Sequence, residues 1–369
     1  MNNCSQAPQI LETRAAADRY LQSWNESGMD WDAWMQEVQL AKAEFAKLIG
    51  ASVDEIAMFS SVSEAASAVA SALDFTRTRR NVVVTGAEFP TIGHVWLAQE
   101  KRGANVQWVP VDNGSIGTNA YDDIVDAHTL LVSATHGYFL NGFTQDLAQL
   151  TQIAHASGAL LFVDAYQTLG AVPVDVRATG VDFLASGNLK YLMGVPGVAF
   201  LYVRRELVEH LHPTVTGWFG RANPFAFSTQ ALDWSSTASR FDTGTPPVMN
   251  AYIARAGMEI INGLGVPNIR AWHTVLGQRL IDGGRDRGLT LFGTDDMFRK
   301  TASTAFVVSD AHAVEQAMRE RGVIAAARGA VLRLAPHYYS TLQDVDTALD
   351  VLHDVLHDVS HKVLHDVLH

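Results

Sequence analysis

A single cysteine, Cys4, stands in the 369 residues, so no internal disulfide can form, and a reducing cytoplasm is the expected setting. The amino terminus lacks the basic, then apolar, then small-residue order of a secretory signal. Apolar runs such as Ala159 to Val163 and Val198 to Val203 fall far short of the roughly 20 residues a spanning helix needs, which predicts a soluble protein with no membrane partner. Positive charge is also scarce. Lys and Arg number 27 against 39 Asp and Glu, a formal net charge of −12, and no long basic cluster interrupts that balance. Nucleic acid and anionic membrane surfaces are therefore poor partners. No GxGxxG follows an early strand, and GxxxxGK[ST], HExxH and GxSxG are all missing, which removes the usual support for dinucleotide enzymes, P-loop NTPases, zincins and α/β-hydrolases.

What is present is a chain 48% apolar and 18% charged, long enough for roughly two packed domains. Helical periodicity runs over residues 11–24, 31–49, 64–73, 92–101, 144–156, 249–262 and 269–283. Between many of these lie β-branched runs at 82–85, 106–110, 130–134, 160–163, 181–185 and 198–203, mostly apolar on both faces, as strands buried from both sides are. Strands alternating with helices predict an α/β protein with a mixed, mostly parallel sheet sandwiched by helices. Ligands of such sheets bind beyond the carboxyl ends of the strands. Trp218, Pro224, Trp234, Pro246 and Pro247 break the pattern before it resumes, which places a boundary near Gly244. The expected division is an entrance segment 1–14, a large domain 15–244, a smaller α+β domain 245–352 and a tail 353–369. That tail repeats every four residues, HDVLHDVSHKVLHDVLH, with histidines that spiral by about 40° per repeat on a helix. Neighbouring pairs are close enough to share a metal, but a solvated helical extension is the favoured reading, and the tail has no expected catalytic role.

The chemistry concentrates between Leu160 and Val203. One apolar strand runs into Asp164, a second ends near Ala185, and Lys190 follows in a loop flanked by Gly187 and Gly194. Both residues then emerge at the same sheet edge. Taken singly, Asp164 caps a turn and Lys190 is a surface residue. Taken together, a carboxylate that keeps a pyridinium nitrogen protonated and a lysine that forms an imine with an aldehyde suggest pyridoxal 5'-phosphate.

With these motifs the chain resembles the class V aminotransferase family of fold type I pyridoxal-phosphate enzymes, which includes cysteine desulfurases, kynureninases and related lyases and epimerases. The resemblance covers nearly the whole chain, and it implies a homodimer with its active site at the interface. It makes Lys190 the imine lysine, Asp164 the partner of the pyridine nitrogen and Gln167 a donor to the ring hydroxyl oxygen, through the D-x-x-Q spacing of Asp164-Ala165-Tyr166-Gln167. Ser60-Ser61-Val62-Ser63-Glu64 resembles the family's phosphate loop, with Val62 and Ser63 meeting phosphate at a helix start; an ordinary serine N-cap is the plainer reading. Phe89, in Glu88-Phe89-Pro90-Thr91, falls where the family stacks an aromatic ring or histidine on the cofactor, although a lone Phe at a strand end is more often core. Leu189 stands where a His or Tyr commonly touches phosphate, which leaves Ser186 and Asn188 as replacements. Thr245, in Thr243-Gly244-Thr245-Pro246-Pro247, becomes a cofactor contact across the dimer, or else part of an exposed turn.

On the substrate side the resemblance points to Asn3 in the opening Asn2-Asn3-Cys4-Ser5-Gln6-Ala7-Pro8, to His136 after a central strand, and to Arg333 in Val331-Leu332-Arg333-Leu334. A guanidinium in an apolar strand needs an anion, either a substrate α-carboxylate or a structural Asp or Glu. Desulfuration through a cysteine persulfide requires a thiol in the carboxyl-terminal part of the chain, and no cysteine follows Cys4. The expected activity is therefore a lyase that removes a β-substituent, through a C–S or C–C bond, from a small or medium L-α-amino acid by way of an α-carbanion. A transaminase is the main alternative, an epimerase a lesser one, and a cofactor-binding sensor module the non-enzymatic one.

Overall fold

The computed structural model describes residues 1–368, with side chains through Asp358. Its centre is a seven-stranded sheet built from β1 (Ile56–Phe59), β2 (Asn81–Thr85), β3 (Asn105–Val109), β4 (Thr129–Thr135), β5 (Leu160–Asp164), β6 (Phe183–Gly187) and β7 (Ala199–Val203). The spatial order is β1-β7-β6-β5-β4-β2-β3. Strands β3, β2, β4, β5 and β6 run parallel, whereas β7 is antiparallel to both β6 and β1. Two reversals return β1 to the direction of β6. The carboxyl ends of β1, β4, β5 and β6 therefore share one edge, and the amino end of β7 joins them there.

Two hydrophobic clusters cover the faces of this sheet. One holds Val83, Val132, Leu161, Val163 and Leu184 under the helices Trp31–Ile49, Leu147–Ala156 and Val248–Leu264. The other holds Val84, Leu131, Phe162, Phe183 and Leu201 under Val62–Ala72 and Pro90–Ala98. Side chains at successive strand positions enter opposite clusters, which is why these strands read as unbroken apolar runs. Each expected helix and strand is present to within three residues at either end. The β1 strand was not expected: it has only four residues, all buried, directly after a single 3-10 turn, and shows no alternation. β3 departs in the other direction, because at the sheet edge Asn105 and Trp108 face solvent.

The second sheet is antiparallel, ordered β8-β10-β9, with β8 Thr304–Val307, β9 Ala326–Arg328 and β10 Val331–Leu334. Its core joins Leu276, Leu280, Phe306, Leu332, Leu334 and Leu349. The first large-sheet cluster extends through Ala251, Met258, Ile261 and Ile269, so the two cores part inside the helix Val266–Asp286, later than the texture change at Gly244. The first residues are stitched into the small sheet, since Asn3 N–H donates to the Ala335 carbonyl (3.2 Å) and Ala335 N–H to that of Met1 (2.8 Å). The helix Leu342–Leu368 carries the repeat into the tail, with the Nε2 atoms of His353 and His357 3.2 Å apart. His361, His365 and His369 lie outside the described side chains, and among the described residues no cluster of three metal-ligating groups occurs. Among the described residues, too, no helix is long and apolar enough to cross a membrane.

Phe162 is fully buried at the middle of β5 and meets Trp96 edge-on at 5.8 Å. Truncation to alanine removes that contact and leaves a cavity the sheet cannot collapse into. Phe162→Ala is expected to cost about 3–5 kcal/mol, read as a lower urea midpoint at unchanged m-value.

Candidate active site

At the shared strand edge lies a cavity of about 360 Å³. β5 ends on Asp164, β6 runs through Gly187 into the Lys190 loop, β1 passes through Ser60 and Ser61 into a helix, and Arg333 reaches in from β10. The wall is otherwise largely apolar, with Val62, Phe89, Phe139, Leu189 and Val198 among its residues.

Lys190 points its ammonium at the face of Tyr166, 4.2 Å from the ring centroid, and at Phe89, 5.7 Å away. Burial lowers its pKa to about 8; the Asp164 carboxylate opposes that shift, and Arg333 and Arg328 add to it. Burial raises the Asp164 pKa, while the Tyr166 N–H that donates to Oδ1 at 2.9 Å and the Lys190 charge pull the other way. Gly187 is obligatory under this arrangement, because a Cβ there would sit 2.1 Å from the Tyr166 ring. Behind Asp164, Glu88 is buried with both carboxyl oxygens unpartnered, and burial followed by repulsion from Asp164 pushes its pKa well up.

The helix Val62–Ala72 begins at the cavity. Ser61 accepts from Glu64 N–H at 3.2 Å, and Glu64 in turn accepts from Ser60 N–H at 3.0 Å. The Val62 and Ser63 amides, in the first turn, have no such cap and lie where a helix start attracts an anion. Thr243 Oγ1 donates to the same Glu64 carboxylate at 3.2 Å. The adjoining Asp242 pairs with buried Lys42 at 2.6 Å and accepts Met58 N–H at 2.8 Å on the open edge of β1.

Arg333 is 1% exposed. Its Nη1 donates to the Phe139 carbonyl and its Nη2 to Ser5 Oγ at 3.2 Å, while Nε has no partner. No Asp or Glu pairs with it among the described residues, so the structural carboxylate considered from the sequence is not there.

Of the residues singled out beforehand, Val62, Ser63, Phe89, Asp164, Gln167, Lys190 and Arg333 line this one cavity. Gln167 spends its amide on the Cys4 carbonyl at 3.1 Å. The other five do not line it. His136 is turned away because side chains alternate at a strand end: Thr135 and Gly137 face the cavity, and the His136 ring enters a separate recess beside Gln145, its pKa lowered by burial to about 4. Asn3 is held by Ala335 and Tyr339, and its neighbours Cys4 and Ser5 form the wall instead. Ser186 Oγ donates to the Gly187 carbonyl at 2.9 Å, and Asn188 packs against Gly194 with its amide unpartnered; neither lines the cavity. Thr245 is exposed and outside its own chain's cavity. Tyr166, Glu88 and Arg328 were missed. The D-x-x-Q spacing draws the eye past Tyr166, and nothing in the sequence marks the other two.

An amine, a buried carboxylate, an aromatic wall and a helix start with free amides surround one space. These fit the aldehyde, ring nitrogen, ring face and phosphate of pyridoxal 5'-phosphate. The family model of aminotransferase class V matches residues 7–340. The chain belongs to that family. Class V membership makes it a pyridoxal-phosphate enzyme. An uncharacterized aminotransferase of Bacillus subtilis is 36% identical over 94% of this chain and 92% of its own length. A kynureninase of Pseudomonas fluorescens is 27% identical over 90% of this chain and 80% of its own. The apo cysteine desulfurase of Thermococcus onnurineus shares the fold, with a TM-score of 0.87 at 22% identity over 96% of this chain and 94% of that one.

Because only the neutral amine attacks an aldehyde, reaction of the cofactor-free protein with added pyridoxal 5'-phosphate should accelerate with pH through a midpoint near about 8. Stopped-flow absorbance checks this. A midpoint near the ordinary lysine value of 10.5 would contradict the burial described for Lys190.

Proposed function

We propose that this class V enzyme is a lyase that removes a β-substituent, through a C–S or C–C bond, from a small or medium L-α-amino acid. The observation that carries the substrate half of this reading is Arg333, a buried guanidinium with no carboxylate partner facing the same cavity as the Lys190 amine. An amino acid supplies the carboxylate for one and the amino group for reaction beside the other. The lyase half draws support from the kynureninase among the relatives. Cys4 is buried in the wall against Ala326 and Ala335, so no mobile thiol is at hand to accept sulfur.

When bound, pyridoxal 5'-phosphate supplies an electron sink that stabilises negative charge at the substrate α-carbon. In this reading Asp164 holds the proton on the ring nitrogen, its own burial making a cationic partner favourable. Gln167 and Phe89 would hold the ring, and the Val62 and Ser63 amides would hold the phosphate. Arg333 fixes the α-carboxylate through a bidentate pair, which sets the bond that faces Lys190. Lys190, with a pKa near about 8, takes the α-proton at Nζ and can return it. The apolar wall keeps water from the reacting carbon.

A homodimer belongs to the same proposal. Thr245 is exposed and cannot serve its own cavity, so a second copy is the site it would complete. The lone buried cysteine suits a cytoplasmic setting. A transaminase is the second reading, favoured by the name of the Bacillus subtilis relative.

Lys190→Ala is expected to abolish turnover and the visible band of the bound cofactor; retained turnover would sink the central assignment. Arg333→Ala should weaken KM by about 2–5 kcal/mol with a smaller effect on kcat, and an unchanged KM returns Arg333 to a structural role. Product release without any keto-acid acceptor, as ammonia and a keto acid after C–S elimination or as a shortened amino acid after C–C cleavage, separates a lyase from a transaminase, whose turnover stops when the acceptor is withheld.

A further inference from the structure

We propose that Arg328 receives a second anion, on the substrate side chain, so that the site selects L-α-amino acids ending in a carboxylate or a comparable anionic group. This inference rests on reading the cavity as a site for amino acids.

The β9-β10 register places the residue. Arg328 lies opposite Val331, and Val331 and Arg333 are two apart on β10, so Arg328 and Arg333 share one face of the small sheet. Ala326 lies directly opposite Arg333, and its methyl group leaves the space between the two guanidinium groups open. Both arginines line the cavity, one buried and one exposed. The inner one is shut away from water, and the outer one stands at the mouth.

Charge within the cavity does not balance. Among the described residues Asp164 is the only carboxylate lining it, against Lys190, Arg328 and Arg333. The cofactor's ring nitrogen occupies Asp164, its phosphate has the helix start, and the α-carboxylate satisfies Arg333. Lys190 is the amine that reacts with the aldehyde, so among the described residues Arg328 is the cation left with no anion assigned. Its Nη1 donates to the Ala327 carbonyl at 2.7 Å, and no carboxylate pairs with it among the described residues. It is close enough to the reacting amine to contribute to the lowered Lys190 pKa. An anion brought to Arg328 screens that charge, so a side-chain carboxylate is favoured both by pairing and by relief of repulsion between the cations.

The test is a visible-absorbance titration of the cofactor-loaded protein with L-aspartate, L-glutamate, L-alanine and L-leucine. The half-saturating concentrations of the two acidic amino acids should be about tenfold or more below those of the neutral pair. Arg328→Gln should narrow that preference about tenfold, Arg328→Lys should restore part of it, and Arg328→Glu should turn the preference toward L-lysine. The exposed position lets all three variants fold. A wild-type protein that takes neutral and acidic amino acids equally overturns the inference, even where β-substituent cleavage is found. Loss of the cofactor itself from Arg328→Gln, read by equilibrium dialysis, overturns it too, by making Arg328 a cofactor contact. A preference for acidic amino acids with no turnover in the absence of a keto-acid acceptor upholds the inference and removes the lyase reading.

Discussion

Asp164 ends β5 with its carboxyl group almost wholly shielded from water, and no cation lies within ion-pair distance of it among the described residues. Only one backbone N–H and the more distant Lys190 charge support its ionised form. A buried, unpaired carboxylate is unfavourable, and the surrounding structure exists to hold it there. Strands β4 and β6 clamp β5 on both sides in parallel register, so Asp164 cannot turn outward without breaking the centre of the sheet. In the proposed reading the cost becomes useful, because a protonated ring nitrogen would relieve the carboxylate and is the form of the cofactor that withdraws electrons best.

Proton affinities around this carboxylate move in opposite directions for one reason, burial. The Lys190 pKa falls toward neutrality because its charged form loses hydration, and the Glu88 pKa rises because its charged form does too, with Asp164 adding repulsion. An amine with a lowered pKa and a carboxyl group with a raised one thus lie on either side of Asp164. Arg333 and Arg328 oppose charging of the amine further, so the proposed binding of anions to them would bear on the reactivity of Lys190.

Much of this arrangement was legible in the residues. Apolar runs at 82–85, 130–134 and 160–163 could only be strands covered on both faces, and an Asp and a Lys following two such runs had to surface at one edge. The resemblance to class V enzymes then named roles that local pattern cannot supply. Where side-chain direction mattered, the residues were silent. His136 and Thr135 are neighbours in sequence, yet one residue of alternation sends them to different cavities. Ser186 and Asn188 sit close to Lys190 in sequence and still do not line its cavity. The β1 strand escaped because four residues carry no period, although its carboxyl end delivers the Ser60 to Ser63 turn to the site.

The amino-acid sequence by itself determined the α/β class, the two-sided burial of the central strands and the placing of Asp164 and Lys190 at one sheet edge, because each follows from hydrophobic pattern and spacing along a single chain. Tertiary structure alone decided that Arg333 has no structural partner, that Arg328 shares its face, and that Tyr166 lies against Lys190. Those contacts join residues from separate elements, and the register of two strands or the turn of one side chain sets which groups meet.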